Sequence, residues 1–453
     1  MRWSRVAPLA AASVVTVAVG AVVAVRYESK HPSAAPTAAA SAAPTRAPVL
    51  SAVASSAAPA RSTVTAAVRP ALARFPTGEQ LAGEVVDVSS GATLWSMSPR
   101  AEMAPASTTK LLTAAAALQT LGADFRFTTS TRRAGDTVYL VGGGDPTLVR
   151  TDTSTAIPAY PRPASLADLA EQTAAGLTPG TPVRLRVDTS AWSGPPAARG
   201  WQPNYVTEGD VTPPSALELD GGRLHTADFD SERTPTPAAQ ATQAFADLLR
   251  ADGVEVNGPI EAATAPPTAR PLASVSSPPL AELVQRMLTD SDNDLAEALG
   301  RAVAAAQGLP ADFSGAAQAV TGDVARYGVS AADVTLYDTS GLSHDDRLDP
   351  VALVDVLRAA ASPTEPALRP IVEGLPVAGF TGTLADRYRG KTTAAGAGVV
   401  RAKTGTLTGV DTLAGLVTDA SGNLLAFALM ASGPDAETDV EAGLDRIAST
   451  LET

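Results

Sequence analysis

The two ends of the 453-residue chain carry the same kind of pattern, and this limits the fold more than any other feature. "LAGEVVDVSSGATLWSMSP" gives two strand-like runs, 81–88 and 92–97, joined by Ser-Ser-Gly, which reads as a hairpin. Far downstream, "GVVRAKTGTLTGVDTLAGLVTDASGNLLAFALMASG" has three apolar runs separated by turn residues and predicts an antiparallel sheet. "DAETDVEAGLDRIASTLE" then closes the chain as an amphipathic helix. Strands at both ends with helices between them predict one mixed α/β (α+β) body, an antiparallel sheet flanked by helices. We expect that body over residues 75–122 and 272–453, with a mostly-β domain inserted over 123–271 in which 236–251 reads as a helix.

The N-terminus belongs to neither. In "MRWSRVAPLAAASVVTVAVGAVVAVRYESK" the stretch Val6–Val25 has no charge. It is long enough to cross a hydrocarbon core of about 30 Å as a helix. A cleavable signal has a shorter core of roughly 7–15 residues and a small-residue exit, which is not evident here. Residues 1–30 therefore read as a membrane anchor, with a cleaved signal as the alternative. Arg2 and Arg5 put the N-terminus in the cytoplasm and the rest of the chain outside. Residues 31–74, rich in Ala, Pro, Ser and Thr, have too few large apolar side chains to fold and read as a disordered linker.

A net charge of −13, with no basic patch, argues against nucleic acid as a partner. Cysteine is absent, which excludes disulfides, zinc–thiolate sites and a cysteine nucleophile. The three histidines, His31, His225 and His344, are far apart and form no metal-ligand pattern. Neither a metal site nor a Ser–His–Asp triad is expected. Gly142–Gly144 followed by Asp145 lacks the order of a phosphate-binding loop and reads as a strand-ending turn.

Of 34 basic residues only four are lysine: Lys30, Lys110, Lys391 and Lys403. A general bias toward arginine accounts for the scarcity, so each retained lysine asks for its own reason. Lys110 follows Ser107 by three positions at the start of a helical pattern over 107–121, which ends at Gly122. Residues at that spacing share a helix face. A serine hydroxyl needs a base to become a nucleophile, and lysine can lose a proton where arginine cannot. Alone, this S-x-x-K pattern arises by chance in many chains of this length.

Two further stretches add to it. "KTG" at 403–405 closes a strand-like run whose edge could present main-chain groups to an extended peptide. Lys403 offers a charge for a carboxylate, Thr404 and Thr406 offer hydroxyls, and Gly405 leaves room for a ligand. By itself it reads more simply as an exposed strand end. "SDN" at 291–293 breaks the helical pattern of 278–307. Ser291 and Asn293 could thus face a cleft, although in isolation the motif is an ordinary helix N-cap. Lys391, in "RGKTTAAG", reads as a solvent-exposed loop lysine. Taken together and in order, S-x-x-K, S-x-N and K-T-G are the signature of penicillin-interacting serine enzymes.

The surrounding stretches carry a closer resemblance. They are "VYLVGGGDPTL" (138–148), "DTSAWSGPPAARGW" (188–201), "YDTSGLSHDDRLDP" (337–350), "EGLPVAGFTGTLADRY" (373–388) and "RAKTGTLTGVDTLAGLV" (401–417). From about 80 to 435 the chain resembles the D-alanyl-D-alanine carboxypeptidase/endopeptidase family of the penicillin-binding protein 4 type. The resemblance implies a transpeptidase-like, β-lactamase-like catalytic domain outside the cytoplasm. It would need no cofactor, would trim peptidoglycan stem peptides and would be inhibited by β-lactam antibiotics. It implies Ser107 as the acylated nucleophile and Lys110 as its proton acceptor. Ser291 and Asn293 would serve the leaving group and the substrate amide, and Lys403, Thr404 and Thr406 the terminal carboxylate. The oxyanion hole would be the main-chain N–H groups of Ser107 and Thr406.

There are departures from the family pattern. Leu288-Thr289 stands before the second motif in place of the more usual Asn-Lys, and 183 residues separate Lys110 from Asn293. That spacing is short for members with two inserted domains, so one of the two is expected to be reduced or missing. His344 lies in a stretch that reads as a loop shaping the cleft. A serine β-lactamase shares the three motifs, and a non-catalytic wall-binding protein would share the fold. The inserted segment disfavours the first, and the intact Ser107–Lys110 pair disfavours the second.

Overall fold

The computed structural model describes residues 58–151, 161–433 and 438–452. The expected anchor and most of the linker lie outside them. Within them a five-stranded antiparallel sheet joins the two chain ends as the sequence pattern predicts. Its order is β10 (Arg401–Leu407), β11 (Val410–Thr418), β12 (Leu424–Ser432), β1 (Gln80–Asp87) and β2 (Thr93–Met97). β12 pairs with β1 from Gln80↔Ser432 to Asp87↔Leu425. Strand alternation divides β12 cleanly. Ala426, Ala428 and Met430 face one core and Leu425, Phe427, Leu429 and Ala431 the other, so the sheet is buried on both faces.

The first core is roofed by the helices α2 (Lys110–Leu121), α6 (Leu280–Asp290), α7 (Asn293–Ala306), α8 (Phe313–Val324), α9 (Pro350–Ala360) and α10 (Arg369–Gly374). A two-stranded ribbon, β8 (Val334–Thr335) with β9 (Arg347–Leu348), brackets the turn that follows α8. α2 is buried along its whole early length, from Lys110 to Leu118. Its short alanines let α7 approach closely.

The second core is covered by α11 (Thr438–Ser449) and by α1 (Arg61–Leu72). α1 corrects the expected linker. Residues 61–72 are helical, and Val64, Val68 and Ala71 are buried against the sheet. Their i, i+4, i+7 spacing is a helical stripe, obscured in the sequence by the alanines and by Pro70 around it.

The inserted segment is also corrected. It is a mixed α/β layer, not mostly β. The strands run β6 (Glu261–Ala262), β5 (Arg184–Asp188), β4 (Thr137–Val141), β3 (Thr128–Ala134) and β7 (Arg270–Ser276). β4, β5 and β6 are parallel, so each step needs a crossover, supplied by α3 (Leu166–Ala175) and α5 (Pro237–Ala251). A further turn of helix, α4 (Tyr205–Glu208), lies in the second crossover. β7 extends this sheet to Ser276, beyond the expected boundary at 271. The glycine run follows the end of β4 but is itself extended chain bonded to distant segments, with Gly142 N donating to Asp188 O at 2.9 Å and Gly144 N to Ala216 O at 2.7 Å; the turn comes after it, at Pro146–Thr147.

Candidate active site

Ser107 lies in a 3-10 turn, Ala106–Thr109, that leads directly into α2. Ala106 holds a left-handed backbone (φ 48°), costly for a residue with a Cβ, and this turns the chain sharply just before the serine. Gly341 makes room for it, since a Cβ there would come within 1.9 Å of Ala106 O. One helical turn on, Lys110 Nζ meets three oxygens: Ser107 Oγ at 2.8 Å, Asn293 Oδ1 at 2.6 Å and Ser340 O at 2.7 Å. The amine is fully buried. Burial pushes its pKa down to about 8, and the carboxylates of Asp338, Asp292, Glu297 and Asp294 partly offset that push.

The break between α6 and α7 supplies the second motif. Ser291 caps α6 in the left-handed conformation (φ 58°, ψ 35°), and Asp292 caps α7 by accepting from Leu295 N. Because the helix breaks there, Ser291 and Asn293 reach different lysines. Asn293 meets Lys110, while Ser291 Oγ accepts from Lys403 Nζ at 2.9 Å. Asn293 Nδ2 donates to Asp210 O at 2.8 Å, so the inserted segment holds this side chain from behind. Arg286 pairs with Asp292 at 3.2 Å, both nearly excluded from solvent.

The third motif lies on β10, the edge strand of the main sheet. Lys403 Nζ is fully buried and also donates to Thr404 O at 2.7 Å. Burial, then the nearby charges of Lys110 and Arg387, push its pKa well down. A Cβ on Gly405 would lie 2.9 Å from both Ser107 N and Pro105 O, so β10 runs directly against the turn bearing the serine. Thr404 Oγ1 shares a 2.8 Å hydrogen bond with Thr383 Oγ1, and Thr406 is exposed with its hydroxyl 3.3 Å from Asp411. The outer edge of β10 is covered at its start, where Ala378 N donates to Val400 O and Ala402 N to Pro376 O. Among the described residues that pairing stops before Lys403.

All three motifs thus meet in one cleft. The sequence pattern did not find the groups that brace it: the carbonyls of Ser340 and Asp210, the hydroxyl of Thr383, and the buried carboxylates of Glu297 and Asp338. The first, third and fifth lie in stretches noticed for their resemblance, without a role for these atoms. His344 hydrogen-bonds through its backbone to Gly200 and Arg347. Lys391 is exposed in a loop, as read. No group of three or more His, Cys, Asp and Glu among the described residues could hold a metal ion.

A serine on a 3-10 turn and a buried lysine at the start of the helix it enters, braced by a second serine–lysine pair, on a sheet flanked by helices, form the frame of a serine peptidase. The sequence matches the D-Ala-D-Ala carboxypeptidase 3 (S13) family over residues 64–232 and 226–451, and the chain belongs to that family. It is 42% identical over 396 residues to the carboxypeptidase DacB of Mycolicibacterium smegmatis, covering 84% of this chain and 83% of that one. A D-alanyl-D-alanine carboxypeptidase of Actinomadura sp. is 30% identical over 436 residues, covering 77% of each. Penicillin-binding protein 4 of Haemophilus influenzae shares the fold, with a TM-score of 0.71 at 24% identity over 85% of this chain and 98% of that one. This is a serine-type D-Ala-D-Ala carboxypeptidase by family, which implies an extracytoplasmic role on peptidoglycan.

Proposed function

We propose that Ser107 attacks the carbonyl carbon of the penultimate D-alanine of a peptidoglycan stem peptide. Lys110 accepts the hydroxyl proton as the Oγ–C bond forms. The observation that carries this reading is the 2.8 Å contact between Lys110 Nζ and Ser107 Oγ, with the amine buried and its proton affinity lowered. Collapse of the tetrahedral intermediate breaks the C–N bond, and the proton that Lys110 took from Ser107 passes to the departing D-alanine amine, with the Ser291 hydroxyl as relay. Water then hydrolyses the acyl-enzyme and regenerates the serine. The main-chain N–H groups of Ser107 and Thr406 serve as the oxyanion hole, a device whose single donors are worth about 2.7–4 kcal/mol.

Thr404 and Thr406 receive the terminal carboxylate, with Gly405 leaving the strand open to it. Lys403 acts on that carboxylate by its charge and on Ser291 by its hydrogen bond. Asn293 serves the substrate amide while orienting Lys110. β-Lactams acylate Ser107 by the same route, and cross-linked stem peptides are cleaved as well as terminal D-alanine. Residues 6–25 anchor the enzyme to the membrane. Among the described residues no helix is long and apolar enough to cross one, and the anchor lies outside them.

The test is intact-protein mass of the full chain after exposure to benzylpenicillin, beside Ser107→Ala. A lasting adduct on the wild type alone supports the reading. Rapid antibiotic hydrolysis with no lasting adduct moves the enzyme to the β-lactamases, and neither adduct nor hydrolysis refutes the nucleophile. Release of D-alanine from a D-Ala-D-Ala peptide, compared with cleavage of a cross-linked dimer, separates the two peptidase activities.

A further inference from the structure

The turn 338–343 passes beside the amine of Lys110, and two buried carboxylates take up its amides. One oxygen of Glu297, on α7, accepts from Thr339 N at 3.0 Å and Ser340 N at 2.9 Å. Its other oxygen accepts from Arg301 Nη1 at 2.8 Å. Asp338 accepts from Gly341 N, Ser343 N and Trp201 Nε1, each at 2.7 Å. From the far side, Thr113 Oγ1 donates to Thr339 O at 2.6 Å. Thr339 packs onto α7 at Gly300, where a Cβ would lie 2.5 Å from its hydroxyl. Arg301 is fixed in turn, its guanidinium 4.2 Å from the Phe313 ring centre.

An amine that removes a proton from Ser107 must aim its lone pair at Oγ. Ser340 O is only an acceptor, and so is Asn293 Oδ1, because Asn293 Nδ2 already donates to Asp210 O. Together they take the two N–H bonds of the neutral amine. The remaining direction, toward Ser107, is left to the lone pair.

We propose that Glu297 is a positioning residue for this reaction: it holds the Ser340 carbonyl, with Asp338, so that the lone pair of Lys110 faces Ser107. The proposal rests on the reading of Lys110 as proton acceptor. The charged groups facing Lys110 are Asp338 on the turn, Asp292, Asp294 and Glu297 at the start of α7, and Lys403 on β10. Asp346, beside Asp338, has its proton affinity raised well above the ordinary carboxyl value by burial and by its neighbour's charge. Removing the charge of Glu297 therefore lowers the proton affinity of Lys110 while loosening its aim.

The experiment follows benzylpenicillin acylation of the full chain by intact mass across neutral to alkaline pH, for wild type, Ser107→Ala and Glu297→Gln. Glu297→Gln is expected to acylate about tenfold or more slowly on the high-pH plateau, since small misplacements of a reacting group are that costly. Its rising limb is expected to move to lower pH. A residue that only stabilised the fold would leave the limb in place. A wild-type plateau or an unmoved limb in Glu297→Gln, with a Ser107-dependent adduct in the wild type, overturns the proposal. No Ser107-dependent adduct in the wild type instead overturns the reading beneath it. If Glu297→Gln does not fold, Thr113→Val loosens the same turn with all charges kept. It must then slow acylation without moving the limb, and an unchanged rate overturns the proposal.

Discussion

Lys403 Nζ donates to Ser291 Oγ across 2.9 Å, although 112 residues separate the two in the chain. Two positions after Ser291, Asn293 bonds the other buried lysine, Lys110, at 2.6 Å. A two-residue break between helices thus connects both buried lysines, and it does so because Ser291 adopts a left-handed backbone.

Lys110→Arg keeps the positive charge and removes the ability to accept a proton. Benzylpenicillin acylation, read by quenched intact mass, should fall by about 10²–10⁴-fold, the usual contribution of general base catalysis. A near-normal rate would assign proton removal to another group.

Acylation should rise with pH through about 8, where Lys110 becomes neutral. The stability effect has the same direction. The folded-state value lies below the ordinary 10.5, so between about 8 and 10.5 the unfolded chain binds more protons. This residue's contribution to stability therefore increases as pH rises through that window, and it is constant below it. Chemical denaturation of wild type and Lys110→Met at several pH values would resolve the term.

Stability and activity should separate at Ser291. Ser291→Ala and Ser291→Gly both remove the hydroxyl that Lys403 binds, and both should acylate slowly. Only glycine relieves the φ of 58°. Ser291→Gly should be more stable than Ser291→Ala by about 1–2 kcal/mol in denaturant titrations, the typical cost of a left-handed residue with a Cβ.

Gly405→Ala would place a methyl group 2.9 Å from Ser107 N and Pro105 O and 2.3 Å from Thr412 Oγ1. Backbone atoms cannot give way as a flexible side chain can. We expect loss of acylation with the far-UV circular dichroism spectrum intact.

A truncated chain starting at residue 75 loses α1 and uncovers the sheet face that Val64 and Val68 bury. Each such valine contributes about 1.5–3 kcal/mol. The fragment should unfold at distinctly lower denaturant concentration than one starting at residue 58. Equal midpoints would show α1 to be dispensable.

The main sheet was legible because its strands are apolar runs cut off locally by turn residues, such as Asp419-Ala420-Ser421-Gly422 between β11 and β12. The helix break at Ser291 and the serine–lysine spacing were legible for the same local reason. α1 and α3 were not, because alanine-rich stripes differ little from alanine-rich linkers in any hydrophobic pattern. In the cleft, the side chains named by the motifs meet as their spacing predicts. Its braces escaped notice because they are carbonyl oxygens, or carboxylates such as Glu297 that a helix start would carry anyway. Main-chain groups leave no mark on composition, and their roles emerge only when Ser340 and Asp210 are brought beside Lys110 and Asn293.

The half-covered edge of β10 has a cost and a remedy built into the same few residues. A strand edge that can receive an extended peptide can also receive the edge of another copy, which is how sheet proteins aggregate. Here the loop around Pro376 seals the strand up to Ala402, and Leu407 ends it, so the open stretch is only as long as a short peptide needs. With β10 as the proposed substrate strand, access and colloidal safety are set by one length. Lengthening the open edge to admit larger peptides would bring self-association with it.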